Sequence, residues 1–377
     1  MKPVSIMYRQ IFRKCSSTGF SSLRRFYSKE LCFNVAPFGH LTSTKSCGSL
    51  KVSPLNPHEY MEQDLVVLNS DDCDITEYAH QKESHISLNG LQGNCTADIP
   101  MKFNLQLQTT GTESIHVEGL ENELVDLSTE GELSLFLLKT RNVNVETISG
   151  DVTSESSVQA DVNVKTQSGN VKLNKILGQS LNIEAETSDV SVDALYSFSS
   201  TVSVASGNIS IKHCHHDNRL TVKNEGNIHI GTLDGSIVAS VGKGNVKIQM
   251  NNPTKVDISV SSGDITLCVP DHLAVIVDLS ADDFHVDDSI KQHSSLDFGR
   301  ESLNDRPVCT VLKLVKFRMD ILEPDWTGSV RGSAEPPSPR IRPLIQAELP
   351  RITAKTAKGT ISIRKRDWLA SMMEKIK

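Results

Sequence analysis

The densest group of side chains able to do chemistry in this sequence is His213, Cys214, His215, His216 and Asp217. Zinc needs three or four imidazole, thiolate or carboxylate groups converging at about 2.0–2.3 Å. On a strand His213 and His215 share a face and could form a two-point anchor, with Asp217 beyond and His229 further along the chain as a conceivable further ligand. The competing expectation is a solvated turn after the run at 206–212, where polar residues belong anyway. On that reading no metal and no cofactor is bound, and His213, His215 and Asp217 remain only weak candidates.

Acids form two further groups, Asp71, Asp72 and Asp74, and Asp282, Asp283, Asp287 and Asp288. Calcium loops need alternating carboxylates with a turn glycine; neither group has that glycine, so both read as solvated loops. A third set, Asp151, Asn170, Asp189, Asn208, Asn227, Asn245 and Asp264, recurs at nearly fixed spacing. Carboxylates on neighbouring coils could act as a retaining glycosidase pair, about 5 Å apart. Acids alternating with amides also satisfy backbone groups at a corner, each bonding its own backbone. The sequence contains no Gly-x-Ser-x-Gly, phosphate-binding loop or His-Glu-x-x-His motif. The glycines and lysines at 242–247 form one repeat turn with no helix after it. No catalytic residue is therefore assigned.

What must position these groups is a repeat. Gly131, Gly150, Gly169, Ser188, Gly207, Gly226, Gly244 and Gly263 are separated, by subtraction, by 19, 19, 19, 19, 19, 18 and 19 residues. Each is followed by an acid or amide, then by an apolar–polar–apolar triplet such as Val171-Lys172-Leu173, Ile209-Ser210-Ile211 or Ile228-His229-Ile230. Ser154 is the one break in the second apolar column. A second alternating run precedes the turn, as in Val143 and Val145, Leu181 and Ile183, or Val256 and Ile258. Period-two alternation marks half-buried strands. One unit cannot bury its apolar face alone, so stacking is required. The expected fold is all-β: a right-handed β-solenoid (β-helix) of about 19-residue coils, at about 4.8 Å per coil a rod roughly 40 Å long. A β-sandwich is the alternative.

The turn sequences at 149–152, 168–171, 206–209, 225–228 and 262–265 resemble those of the family named as adhesins, a set of bacterial and animal β-helix domains of largely unknown function. The resemblance covers roughly 85–280 and resumes near the C-terminus, where Gly359, Ile361 and Ile363 are similar to the turn glycine and inward pair of a final coil. It implies a β-helix. The chain also looks like a vertebrate member of that family bearing a mitochondrial leader.

The remaining organisation follows from composition. Residues 1–27 hold Lys2, Arg9, Arg13, Lys14, Arg24 and Arg25, and the first acid is Glu30. A basic, serine-rich, acid-poor start reads as a mitochondrial transit peptide, with cleavage after Tyr27 and a matrix location; a cytoplasmic location is the alternative. Residues 28–65 read as a largely disordered linker, 66–290 as solenoid repeats, 291–345 as an insertion or loop, 346–366 as a closing coil and 367–377 as a capping helix. In that helix Asp367 would be the cap, with Trp368, Leu369, Met372 and Met373 on one side. Eight scattered cysteines without paired spacing read as reduced thiols. A net charge of −7 with interspersed signs argues against nucleic acid as partner. No apolar run is long enough for an integral membrane segment. The function these features suggest is a non-enzymatic scaffold or protein-interaction module with an unknown protein partner and an open oligomeric state. The alternatives are a carbohydrate-active β-helix enzyme or a self-assembling solenoid.

Overall fold

The computed structural model describes residues 29–60, 64–70, 74–270, 275–287 and 350–365, with Leu273, Ile290 and the short strands Met7–Arg9, Ser295–Leu296 and Val311–Leu314. The protein is a β-solenoid of about nine turns at roughly 19-residue spacing. Strand Ile209–Glu225 shows how one coil is made. Ile209, Ile211 and Cys214 point into the core from a first wall, and Leu220 and Val222 from a second. Between them the chain turns a corner at His216, whose φ is 58°. Each wall is a parallel ladder in register with the next coil: Ile209 faces Ile228, which faces Val246, which faces Ile265. The column between them (Ser191, Ser210, His229, Lys247) lies on the outer face, as the alternation predicts. Buried apolar side chains from Leu31 to Ile363 form one continuous core.

The corner that carries the repeated glycines is tighter than the other. Backbone stacks directly on backbone there. A Cβ on Gly150 would lie 1.8 Å from the carbonyl oxygen of Gly131, and one on Gly226 would lie 1.8 Å from that of Gly207. No atom can occupy those positions. Gly226 also adopts a φ of +155°, which L side chains rarely take. The gain from this closeness is a hydrogen-bond ladder: the N–H groups of Gly207, Gly226 and Gly244 each donate at 2.9 Å to a carbonyl of the following coil.

The two ends depart from the expected order in the same way. The segment read as a disordered linker, 28–65, is instead largely sheet: Lys29–Asn34, His40–Ser46 and Leu50–Pro54 are strands, with Leu41, Leu50 and Val52 buried. His40–Ser46 pairs in parallel with both His85–Asn89 and Asn104–Thr109, and Leu50–Pro54 with both Cys95–Ile99 and Ile115–Glu118. A coil from early in the chain is thus inserted between two later ones. At the other end Arg351–Thr356 lies between Val246–Ser262 and Val275–Ser280, and Thr360–Lys365 between Ile265–Val269 and Asp283–Val286. Residues expected to close the solenoid do form a coil, with Gly359 at the corner and Ile361 and Ile363 buried, but it lies beneath the coil of 275–286 rather than outermost. Antiparallel strands flank both ends: Leu65–Ser70 against Cys95–Ile99, Ala79–Lys82 against His85–Asn89, and Val311–Leu314 against Val275–Ser280. Strand Met7–Arg9, within the expected leader, pairs with Lys29–Asn34. Apart from the short strands just named, the insertion at 291–345, the helix at 367–377 and the rest of the leader lie outside the described residues.

Steric exclusion at the glycine corner can be separated from backbone strain. Gly150 has no left-handed φ but no room for a Cβ, whereas Gly90 has a φ of +67° and nothing within 4 Å of that position. Gly90→Ala is expected to cost about 1–2 kcal/mol from conformation alone. Gly150→Ala should cost about 3 kcal/mol or more, because the neighbour it strikes is backbone. Urea melts of both variants make the comparison, and equal losses would contradict the close-stacked corner.

Candidate functional site

The recurring acids and amides sit just after each glycine, and their side chains bridge coils rather than bonding their own backbone as expected. Asp151 Oδ1 accepts from Asn170 N–H at 2.6 Å, Asp189 Oδ1 from Asn208 N–H at 2.8 Å and Asn208 Oδ1 from Asn227 N–H at 3.0 Å. The series continues through Asn227, Asn245 and Asp264 to the N–H of Thr360, at 2.8 Å in that last step. Where amides are adjacent they also bond laterally, Asn227 Nδ2 donating to Asn208 Oδ1 at 2.9 Å. Between Asp151 and Asp264 no two acids of the series fall on successive coils; Glu132, which follows Gly131, lies one coil from Asp151. Of the other acids singled out, Asp74 caps a short 3-10 turn by accepting from the Thr76 hydroxyl at 2.7 Å. Asp282 accepts from the Gly359 N–H at 3.3 Å. Asp71, Asp72 and Asp288 lie outside the described residues.

The cluster at 213–217 occupies the other corner, and its members diverge. Cys214 points into the core, where burial, and secondarily Asp234, push its thiol up to about 12. His213 pairs with Ala194 on the first wall. The His215 ring stacks on Tyr196 at 4.6 Å and 17°, with Nδ1 3.8 Å from Asp234 Oδ2. His216 tilts against Phe198 at 5.0 Å, and the Asp217 N–H donates to the Phe198 carbonyl at 3.2 Å. His229 registers with Ser210 on the first wall, so it does not join them. Among the described residues no group of three or more His, Cys, Asp or Glu could hold a metal ion. His213, His215 and Asp217, the weak metal candidates, do not converge, because the chain turns at His216.

This corner contains residues the sequence reading passed over. Buried Asn218 holds it together: its Nδ2 donates to the carbonyls of His215 at 2.9 Å and His216 at 3.0 Å, and its Oδ1 accepts from the Ser200 hydroxyl. Tyr196 and Phe198 are 39% and 58% exposed, two of the large hydrophobic side chains that the described surface displays. A signal for them existed: 215 − 196 and 217 − 198 both equal 19, one repeat. With Asp234, Gly235, Asn252 and Thr254 of the following coils, Phe198, His216 and Asp217 line a cleft of about 380 Å³.

A larger, shallow groove of about 650 Å³ runs along the second wall toward the glycine corner. Its outward row is Ser128, Glu146, Lys165, Glu184 and Ser203, in register one coil apart. Beneath that row lie buried threonines. Thr109 donates to Thr129 at 2.8 Å, while the Thr147 hydroxyl is buried without a hydrogen-bond partner. In the adjoining row, burial and then Glu146 raise the Asp126 pKa. The alternating charges fit an extended ligand carrying both signs.

The inward thiol gives a direct check of this geometry. Cys214 is buried whereas Cys47 is exposed. In the native protein Cys47 should react with iodoacetamide at least about a hundredfold faster than Cys214, since alkylation needs an accessible thiolate. Peptide mapping reads both sites at once, and comparable labelling would mean that the register of this coil is wrong.

Among the described residues no helix is long and apolar enough to cross a membrane. No solved structure matches the chain. The profile of one sequence family matches residues 104–225 and 159–298. Together these cover 104–298, which is 298 − 104 + 1 = 195 of 377 residues, just over half the chain. They span the corner glycines from Gly131 to Gly263, both grooves and the 213–217 cluster. The protein belongs to the Toastrack DUF4097 family, a β-solenoid-like repeat family of unknown function.

Proposed function

We propose that this chain is a non-enzymatic β-solenoid that serves as a scaffold or protein-interaction module in mitochondria. The observation that carries the reading is the corner ladder, because it commits the most regular acids and amides to backbone N–H groups of the next coil. A carboxylate oxygen held in this way is a poor general base or nucleophile, since taking up a proton or forming a bond at that oxygen gives up a hydrogen bond that joins two coils. What remains for function is surface, and the groove centred on Glu146, Lys165 and Glu184, of about 650 Å³, is a concave part of it. Adhesion is not carried over from the family resemblance.

The partner can be sought where the reading places it. Proximity labelling from the intact protein in mitochondria should return a reproducible set of neighbours. A variant with Glu146→Lys, Lys165→Glu and Glu184→Lys should lose part of that set while keeping its thermal melt, and Lys247→Glu on the opposite wall should not. An unchanged set in the groove variant would remove the groove from the account. The mitochondrial assignment rests on the acid-free basic segment before Glu30. The endogenous chain is expected to begin near Ser28 by N-terminal sequencing. A chain that starts at Met1 and sits in the cytosol would overturn the assignment.

A further inference from the structure

The cleft at the second corner has the chemistry of a cation site. Its floor is Gly235, with a φ of +137° and a Cβ position only 2.4 Å from the His216 carbonyl oxygen, so no side chain can fill it. The rings of Phe198 and His216, 5.0 Å apart, line it together with Asn252 and Thr254. Two carboxylates, Asp217 and Asp234, face it, and no lysine or arginine lines it. Asp234 is held on one side by the Asn251 amide at 2.7 Å. The Asp217 carboxylate makes no hydrogen bond or ion pair among the described residues. The adjacent ring shows what the arrangement accepts: Lys175 places its ammonium 5.4 Å from the centroid of Tyr196. Phe198, two residues on and more exposed, carries no cation among the described residues.

We infer that this cleft binds an arginine side chain presented by an extended segment of a partner protein. A guanidinium is planar and can lie on the Phe198 ring while its fork of N–H groups meets Asp217. The Asn252 and Thr254 side chains that line the cleft can hydrogen-bond the flanking peptide. An ammonium would supply the charge without the flat face or the fork. The inference extends the reading of the rod as a protein-interaction module to a second site. Its test uses purified protein, so it can fail or succeed independently of the mitochondrial neighbours.

The test is fluorescence anisotropy of the full chain with a fluorescein-labelled nonapeptide of alternating serine and arginine. The comparison peptides carry lysine, or neutral citrulline, in place of arginine. At about 50 mM salt, where exposed charge attraction is strong, the arginine peptide should bind more tightly than the lysine peptide, and the citrulline peptide should not bind. Phe198→Ala, Phe198→Leu and Asp217→Asn should each weaken binding at least about fivefold with unchanged melts. Phe198→Leu keeps apolar bulk and removes the ring. Glu132→Gln, exposed at the glycine corner, should leave affinity unchanged. Equal affinity for all four variants would mean diffuse attraction to an acidic rod and would overturn the inference. So would binding of maltohexaose that is lost in Phe198→Ala but retained in Asp217→Asn, since that pattern describes a sugar platform.

Discussion

Everything regular in this protein depends on how closely backbone can stack at one corner. Strands of neighbouring coils are held about 4.8 Å apart by their ladder hydrogen bonds. At the glycine corner the chain turns while keeping that spacing, and the Cβ positions then fall within about 2 Å of the next backbone, as at Gly150, Gly207 and Gly226. Glycine is the residue that fits. Ser188 is the exception, and its hydroxyl is buried without a hydrogen-bond partner. The acid or amide that follows each glycine depends on the same closeness, because its short side chain reaches the N–H of the equivalent residue one coil on. Asparagine and aspartate suit this position because each offers an acceptor oxygen at that reach.

At the second corner such closeness is met in single coils, as at Gly235, and does not recur at a fixed position in every coil, and the two corners divide the work. There the turn is held from inside by Asn218, and its outward residues vary from coil to coil: Tyr196 and Phe198, then His215 to Asp217, then Asp234 and Gly235. A repeat protein can place individual chemistry where the stacking rule is relaxed. The exposed rings and the unengaged carboxylate of Asp217 are found at this corner. The polar groups of the glycine corner are spent on the fold.

The legible part of the structure was the part that repeats. The 19-residue spacing located the glycine corner, the inward columns and the outer column of Ser210, His229 and Lys247, all of which the coils confirm. It could not show coils inserted out of order. Gly48 stacks under Gly93 and Gly359 under Gly263, across 93 − 48 = 45 and 359 − 263 = 96 residues, so neither appears in a local period. The segment around Gly48 nevertheless has the repeat's grammar, with Leu50-Lys51-Val52 after it and Asn94 Oδ1 accepting from the Ser49 N–H at 3.1 Å. Prolines and small polar residues around it suggested a linker, and burial between two other coils overrides that local preference. The surroundings of the His-rich cluster were hidden for a related reason: adjacency in sequence across a sharp turn sends side chains to different surfaces, while the spatial neighbours Tyr196 and Phe198 lie one coil away.

The central claim is that corner and walls form one hydrogen-bonded stack. Native-state hydrogen exchange tests it at amides that would exchange freely in an ordinary surface turn. The N–H groups of Gly207, Asn208, Gly226, Asn227 and Asn245 all donate to the neighbouring coil. They should exchange as slowly as the buried wall amides of Ile211 and Ile230, and with the same denaturant dependence, because both would open only when coils separate. Exchange of the corner amides on the timescale of solvated loops, while the walls stay protected, would contradict the account and reduce the glycine column to a string of independent turns.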